Sequence, residues 1–234
     1  MGDRVGQDEG VSDAVIEAVF GRSATTAQGY VDLMAEQGVE RGVIGPREVD
    51  RLWDRHVLNS ALIGELIPHG SSVLDVGSGA GLPGVPLAIA RPDLDIVLLE
   101  PMARRVEWLE EVLRRLDVRA AVVRGRAEER AIRARLGGAD IVTARALAPL
   151  SRLGTWCLPL ARPGGVVLAM KGASADEEIA RDRAAIRAAG ATAIERTQCG
   201  VGLGVTPATV VMVTRSERSG QRKERSSRPR RSRK

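Results

Sequence analysis

The chain has 234 residues, 44% apolar and 28% charged, with a formal net charge of +5 at neutral pH. That length and mix suit one globular domain with extensions, and no run reaches the 18 apolar residues of a membrane-spanning helix. The two cysteines, Cys157 and Cys199, form neither a Cys-x-x-Cys pair nor a ligand cluster, which argues against a disulfide scaffold or a cysteine zinc site. The start, Met1 to Val11, is polar and acidic and shows no secretory signal. A cytoplasmic protein with two reduced thiols is expected.

In chain order, residues 1–66 read as a helical N-terminal extension packed on the core, with its helical stretches within 12–66. Ser12 is placed to cap a short helix carrying Val15, Ile16, Val19 and Phe20. A second helix is expected near Thr25–Glu36. Gly45-Pro46 opens a third, with Val49, Leu52, Trp53 and Val57 at helical spacing.

From Ser71 the period changes. Seven short apolar runs follow: Ser72–Val76, Ile96–Glu100, Ala120–Val123, Ile141–Ala144, Val166–Met170, Ala191–Arg196 and Thr209–Thr214. Helical stretches lie between the earlier ones, at Leu82–Ala90, Arg104–Leu116, Ala127–Leu136, Leu150–Leu160 and Ala175–Ala189. Ser174 and Glu177 have the spacing of a capping box. Alternation of this kind predicts an α/β domain over 67–214, a mostly parallel seven-stranded sheet with helices on both faces. The last two runs are separated by Gly200, Gly202, Gly204 and Pro207, which suggests a closing antiparallel hairpin.

The charge is uneven. Residues 215–234 hold ten basic side chains and two acids, so the tail carries +8 and the rest of the chain −3. With Ser, Gly and Pro and no large apolar residue, the tail reads as disordered. It is either an arm for nucleic-acid phosphates, with Arg228, Arg230 and Arg231 as candidate contacts, or a solubilising extension. Only three lysines occur against 32 arginines, and Lys171 is the only lysine before the tail. A compact ammonium where the chain otherwise uses guanidinium marks Lys171 as a candidate.

The strongest local signal is the stretch from Val73 to Gly84, Val-Leu-Asp-Val-Gly-Ser-Gly-Ala-Gly-Leu-Pro-Gly. A buried strand enters a glycine turn and then a helix, which allows close approach of a ligand to the backbone. A dinucleotide fingerprint requires a third glycine where Leu82 stands. Asp75 would oppose a pyrophosphate but suit a ligand with an ammonium group. The pattern looks like the first motif of S-adenosylmethionine-dependent methyltransferases, with Asp75, Gly77, Ser78, Gly79 and Gly81 at the turn and Glu100 ending the next strand to accept from ribose hydroxyls. The expected fold is therefore the Rossmann-like class I methyltransferase fold.

Further pieces narrow the resemblance. They are Arg55-His-Val-Leu-Asn-Ser60, Gly-Leu-Pro-Gly84, Leu98-Leu-Glu-Pro101, Gly125-Arg-Ala-Glu-Glu129, Thr143-Ala-Arg-Ala146 and Met170-Lys-Gly172. In order and spacing, over about residues 28–214, the chain resembles the bacterial 16S ribosomal RNA guanine-N7 methyltransferases called the RsmG, or GidB, family. The resemblance implies S-adenosylmethionine as cofactor, held at Gly77, Leu82, Ala127, Glu128 and Arg145. It implies 16S rRNA or the 30S subunit as partner, met by a monomer. Asn59 stands where the family often has Asp.

Guanine N7 is an unprotonated lone-pair nucleophile, so methyl transfer to it needs no general base, and none is assigned. Arg145 and Lys171, ending the fourth and fifth strands, are positioning candidates. His56, Arg104, Arg105 and Lys171 are RNA-binding candidates. His56 reads equally as a satisfied structural histidine, and Arg104 and Arg105 as a solvated helix face. Trp53 and Trp108 read as packing. No metal site is expected. A small-molecule methyltransferase and a non-catalytic nucleic-acid module driven by the tail are the competing classes.

Overall fold

The computed structural model describes residues 11–217. Helices α1 (Asp13–Phe20) and α2 (Ala24–Gln37) come first, then a run of short turns from Pro46 to Leu66 that includes α3 (Asn59–Leu62). The sheet domain follows as β1 (Ser72–Val76), α4 (Gly84–Ala90), β2 (Asp95–Glu100), α5 (Ala103–Leu116), β3 (Ala121–Arg124), α6 (Arg130–Leu136), β4 (Ala139–Arg145), α7 (Leu150–Cys157), β5 (Ala161–Lys171), α8 (Ala175–Ala188), β6 (Ala191–Cys199) and β7 (Ala208–Arg215). The strand order is β3-β2-β1-β4-β5-β7-β6, with β1 to β5 parallel and β7 antiparallel to both its neighbours. All seven expected strands are present, and the last two form the expected hairpin. The chain reverses direction across the sheet between β1 and β4, the switch point where open α/β sheets place their ligand crevice.

Strand alternation divides the apolar side chains between two cores. Val73, Ile96, Leu98, Ile141 and Leu168 face α1, α2, α4, α5 and the turns before β1. Leu74, Leu99, Val142, Val167 and Val211 face α6, α7 and α8 on the other side. The N-terminal helices thus share a continuous core with one face of the sheet.

Local differences from the sequence reading have physical causes. Instead of one helix from Pro46, a tight 3₁₀ turn over Pro46–Arg51 leads into a wide π-type turn over Leu52–Leu58. Leu52 and Val57, and Trp53 and Leu58, are five residues apart and all buried. A five-residue turn keeps both pairs on the core face. Helix α6 begins only at Arg130, because Ala127 and Glu128 lie in a turn whose Ala127 carbonyl accepts from Arg133 Nε at 3.0 Å. Helix α7 stops at Cys157, and a short 3₁₀ turn containing Pro159 follows. Ser12 and Ser174 occupy N-cap positions without a side-chain capping bond. The predicted capping box at Ser174 does not form, and Ser174 Oγ lies 3.4 Å from Glu178 Oε1 instead.

Arg215, counted with the tail in the sequence, ends β7 and donates to the carbonyls of Pro159 (3.2 Å) and Ala161. Residues 218–234, with Arg228, Arg230 and Arg231, lie outside the described residues. Cys157 and Cys199 are both buried free thiols. Burial pushes their pKa values up, to about 12 and about 11. Among the described residues, no helix is long and apolar enough to cross a membrane.

Candidate functional site

The turn after β1 carries Gly77, Gly79 and Gly81 at φ of +73°, +57° and +113°, backbone that glycine adopts without strain. A Cβ on Gly77 would stand 2.6 Å from Leu147 Cδ1, and one on Gly81 2.6 Å from Val85 Cγ2. On Gly79 it would meet nothing nearer than 3.8 Å, so space opens there.

The turn's amides face the protein. Gly77 and Ser78 donate to the Leu99 carbonyl (2.8 and 3.3 Å), and Gly81 and Leu82 to the Ser78 carbonyl (2.7 and 3.0 Å). Gly79 donates to Glu100 Oε2 at 2.9 Å. A pyrophosphate site needs the reverse, with amides aimed outward at the anion.

The two acidic candidates are both buried. Asp75 accepts from the hydroxyl of Thr143, its register partner on β4, at 2.8 Å, and from Gly84 N–H at the start of α4, at 3.2 Å. Burial raises its pKa to about 6. It does not face a ligand ammonium, as the sequence suggested. Its charge braces the turn from behind instead. Glu100 accepts from Gly79 N–H and, through Oε1, from Met102 N–H at 3.0 Å. A carboxylate has about four acceptor positions, so two remain beyond these backbone bonds.

A third brace escaped the sequence reading. The Ala80 carbonyl accepts from Tyr30 OH (3.0 Å) and from Trp108 Nε1 (2.8 Å). Both rings are fully enclosed, and burial raises the Tyr30 pKa strongly. The signal was available, since this is the chain's only tyrosine, set among the apolar positions of α2. Trp108, expected to pack only, both packs and donates. Ala127 is buried and Glu128 exposed just past β3.

Arg145 ends β4 half-buried. Nη1 donates to the carbonyl of His56 (3.1 Å) and to Ser60 Oγ (2.8 Å), and Nη2 to the carbonyl of Arg55 (2.8 Å) and to His56 Nδ1 (2.7 Å). Four of its five donors therefore hold the Arg55–Ser60 segment, and only Nε–H is left. Arginine can only donate, so His56 Nδ1 is the acceptor and Nε2 carries the hydrogen given to Glu48 Oε2 at 2.8 Å. Burial, then the neighbouring Arg145 charge, lowers the His56 pKa. Of its two readings, His56 takes the structural one. Lys171 Nζ donates to the Ala148 carbonyl (2.9 Å) and pairs with Glu178 Oε2 (2.8 Å), so its ammonium is already partnered. Arg104 is exposed on the first turn of α5 and Arg105 is half-buried beside it.

Over the ends of β4 and β5 opens a cleft of about 1710 Å³. Its lining comes from the turn segment with Arg51, Arg55 and Asn59 and from β6 with the loop to β7, two segments that the Asp54–Thr206 hydrogen bonds join. Arg145 and Lys171 lie in its floor. Ala146, with φ of +50°, turns the chain from this floor to Leu147, which covers Gly77. Ala146 at the cleft and Leu147 over Gly77 thus connect the cleft to the glycine turn.

This architecture is found among S-adenosylmethionine-dependent methyltransferases. The solved S-adenosylmethionine-dependent methyltransferase SibL aligns over 88% of this chain and 80% of its own, with TM-score 0.56 and 18% identity. An S-adenosylmethionine-dependent O-methyltransferase from Thermotoga maritima aligns over 70% and 66%, with TM-score 0.51 and 15% identity. At sequence level, the family described as rRNA small subunit methyltransferase G matches residues 23–202. Proteins named ribosomal RNA small subunit methyltransferase G from Mycobacterium marinum and Rhodococcus jostii are each 53% identical, over 89% and 91% of this chain and 91% and 92% of theirs. The chain belongs to the rRNA small subunit methyltransferase G family.

Two outcomes test the bracing. Tyr30→Phe removes one of two donors to the Ala80 carbonyl and is expected to cost about 1 kcal/mol of stability and to weaken S-adenosylmethionine binding. Thermal melting and calorimetry check both, and unaltered cofactor affinity would show that the turn keeps its shape without the phenol. For His56, the unfolded chain takes up a proton near pH 6.5, about the ordinary histidine value, which the folded chain resists. Stability is therefore complete above that pH and falls as pH drops below it. Denaturant titrations at pH 8 and pH 5.5 are expected to show a smaller loss for His56→Gln than for the native chain.

Proposed function

We propose that the protein methylates N7 of a guanine in 16S ribosomal RNA with S-adenosylmethionine, acting in the cytoplasm as a monomer on the RNA or the 30S subunit. The inward-facing amides of the glycine turn are the observation that carries the cofactor reading. A turn whose Gly77, Ser78, Gly79, Gly81 and Leu82 amides are already satisfied within the protein suits a ligand without phosphates. Family membership supports the RNA substrate. The cleft beside the turn supports it over a small-molecule substrate, because it exceeds the roughly 300–1,000 Å³ of ordinary ligand pockets.

In this reading Gly77, Ser78, Gly79, Gly81 and Leu82 shape the backbone against the cofactor, and Asp75 holds that shape from beneath. Glu100 accepts from the ribose with its remaining lone pairs, and Ala127 and Glu128 border the adenine. S-adenosylmethionine supplies an electrophilic methyl group on a sulfonium. Guanine N7 has no proton to lose, so the chain's task is alignment, which can contribute roughly 7–11 kcal/mol. Arg145 and Lys171 act as positioning residues. Arg145 fixes the Arg55–Ser60 wall, and Lys171 fixes the loop at Ala148.

The test is methyl transfer from labelled cofactor to 30S subunits lacking the modification, followed by mass mapping of the RNA. One methylated guanine is expected. Gly79→Asp should keep the fold, since its φ of +57° is one that Asp tolerates, and should lose cofactor binding. RNA that stays unlabelled, or normal cofactor affinity in Gly79→Asp, would remove the basis of the reading.

A further inference from the structure

The cleft and the glycine turn are separate features. None of the cleft's lining residues belongs to the turn, and neither Glu100, Ala127 nor Glu128 lines it. The chain before the tail carries a net −3, yet the cleft is lined by five cations and three acids. Two of those acids are engaged. Asp54 accepts from Thr206 N–H (2.9 Å) and Oγ1 (2.8 Å), and Glu178 pairs with Lys171. The third, Asp50, is exposed next to Arg51.

Three exposed arginines line the cleft, Arg51 and Arg55 on the turn segment and Arg196 on β6. Arg55 lies 3.6 Å from Glu48 with 56% of its side chain exposed, and Arg196 lies 3.7 Å from Asp176 with 39% exposed. Ion pairs this long and exposed hold little energy, so both heads are available to a stronger anion. Among the described residues, no aromatic side chain lines the cleft. Tyr30, Trp53, Trp108 and Phe20 are all in the core. Arginine planes are therefore the cleft's means of stacking on bases.

The chemistry of the acceptor narrows the ligand further. Guanine N7 lies on the major-groove edge, and the major groove of an RNA duplex is too deep and narrow for side chains to read. Access to N7 requires an unpaired base. We infer that the cleft seats a single RNA strand, with Arg51, Arg55 and Arg196 binding its phosphates and the target base lowered towards the ends of β4 and β5. This rests on the rRNA reading above and names its contact surface.

The test compares the full chain with the triple variant Arg51→Ala, Arg55→Ala and Arg196→Ala. With 30S subunits, KM for the particle is expected to rise at least tenfold, while melting temperature and S-adenosylmethionine affinity stay unchanged. Binding of a fluorescein-labelled single-stranded RNA dodecamer, titrated with salt, is expected to lose about 2 from its log–log slope, at about 0.7 per phosphate contact. Replacing the same three residues by Lys should restore the slope but not the full affinity, because an ammonium cannot stack. An unaltered KM and slope in the folded Ala variant would overturn the inference. A native chain that methylates no rRNA would sink the functional reading instead, and the dodecamer would still judge the cleft. Equal binding by native chain and variant rejects it, and loss in the variant upholds it.

Discussion

The backbone of one segment, Gly77 to Gly84, is held from below by buried polar groups that arrive from four directions. Asp75 comes from β1, Glu100 from β2, Tyr30 from α2 and Trp108 from α5. A buried carboxylate without partners is costly, and so is a buried carbonyl. Each of these groups therefore needs the turn as much as the turn needs it. Hydrogen bonds to charged groups contribute about 1.5–3 kcal/mol each, so the turn's shape is strongly determined before any ligand arrives. Tyr30 also ties the N-terminal helices to that shape. They form part of the turn's foundation as well as covering one face of the sheet.

Arg145 makes a second joint of the same kind. The π-type turn before α3 presents the carbonyls of Arg55 and His56 to Arg145, and one guanidinium takes both, together with Ser60 and His56 Nδ1. A lysine has three donors from a single nitrogen and cannot span four acceptors spread over six residues. The geometry therefore requires arginine here, while at Lys171 a point charge between one carbonyl and one carboxylate is enough. The left-handed Ala146 follows directly, a backbone conformation that costs about 1–3 kcal/mol and persists only where its surroundings enforce it. Arg145 on one side and Leu147, packed over Gly77, on the other supply that enforcement.

The strands and most helices were legible because burial on one or two faces imposes a period, and period is a local property. The glycine turn was legible because positive φ restricts residue choice. What the sequence could not show is direction. Nothing in the pattern shows that Asp75 spends its oxygens on Thr143 and Gly84, or that Glu100 accepts from the amides of Gly79 and Met102 and keeps lone pairs for a ligand. Arg145 and Lys171 stand out in the sequence as positioning candidates at strand ends, but their partners do not: those of Arg145 are 85 to 90 residues away, and those of Lys171 are 23 and 7 residues away. The π-type turn was half visible. Its buried pairs are five apart, a spacing that a helical template absorbs without notice.

The state of the titratable groups agrees with the chemistry proposed for the site. His56 is held neutral with both ring nitrogens engaged, Asp75 is enclosed, and Lys171 is paired with Glu178. None is poised to take a proton from a substrate. An acceptor that had to be deprotonated would find no base among them, whereas guanine N7 asks for none. The same arrangement leaves the exposed guanidiniums as the cleft's unsatisfied charge on an otherwise acidic body. An enzyme that supplies alignment rather than proton transfer can place its binding groups on the rim of the cleft and keep its floor rigid, and this chain distributes its arginines in that way.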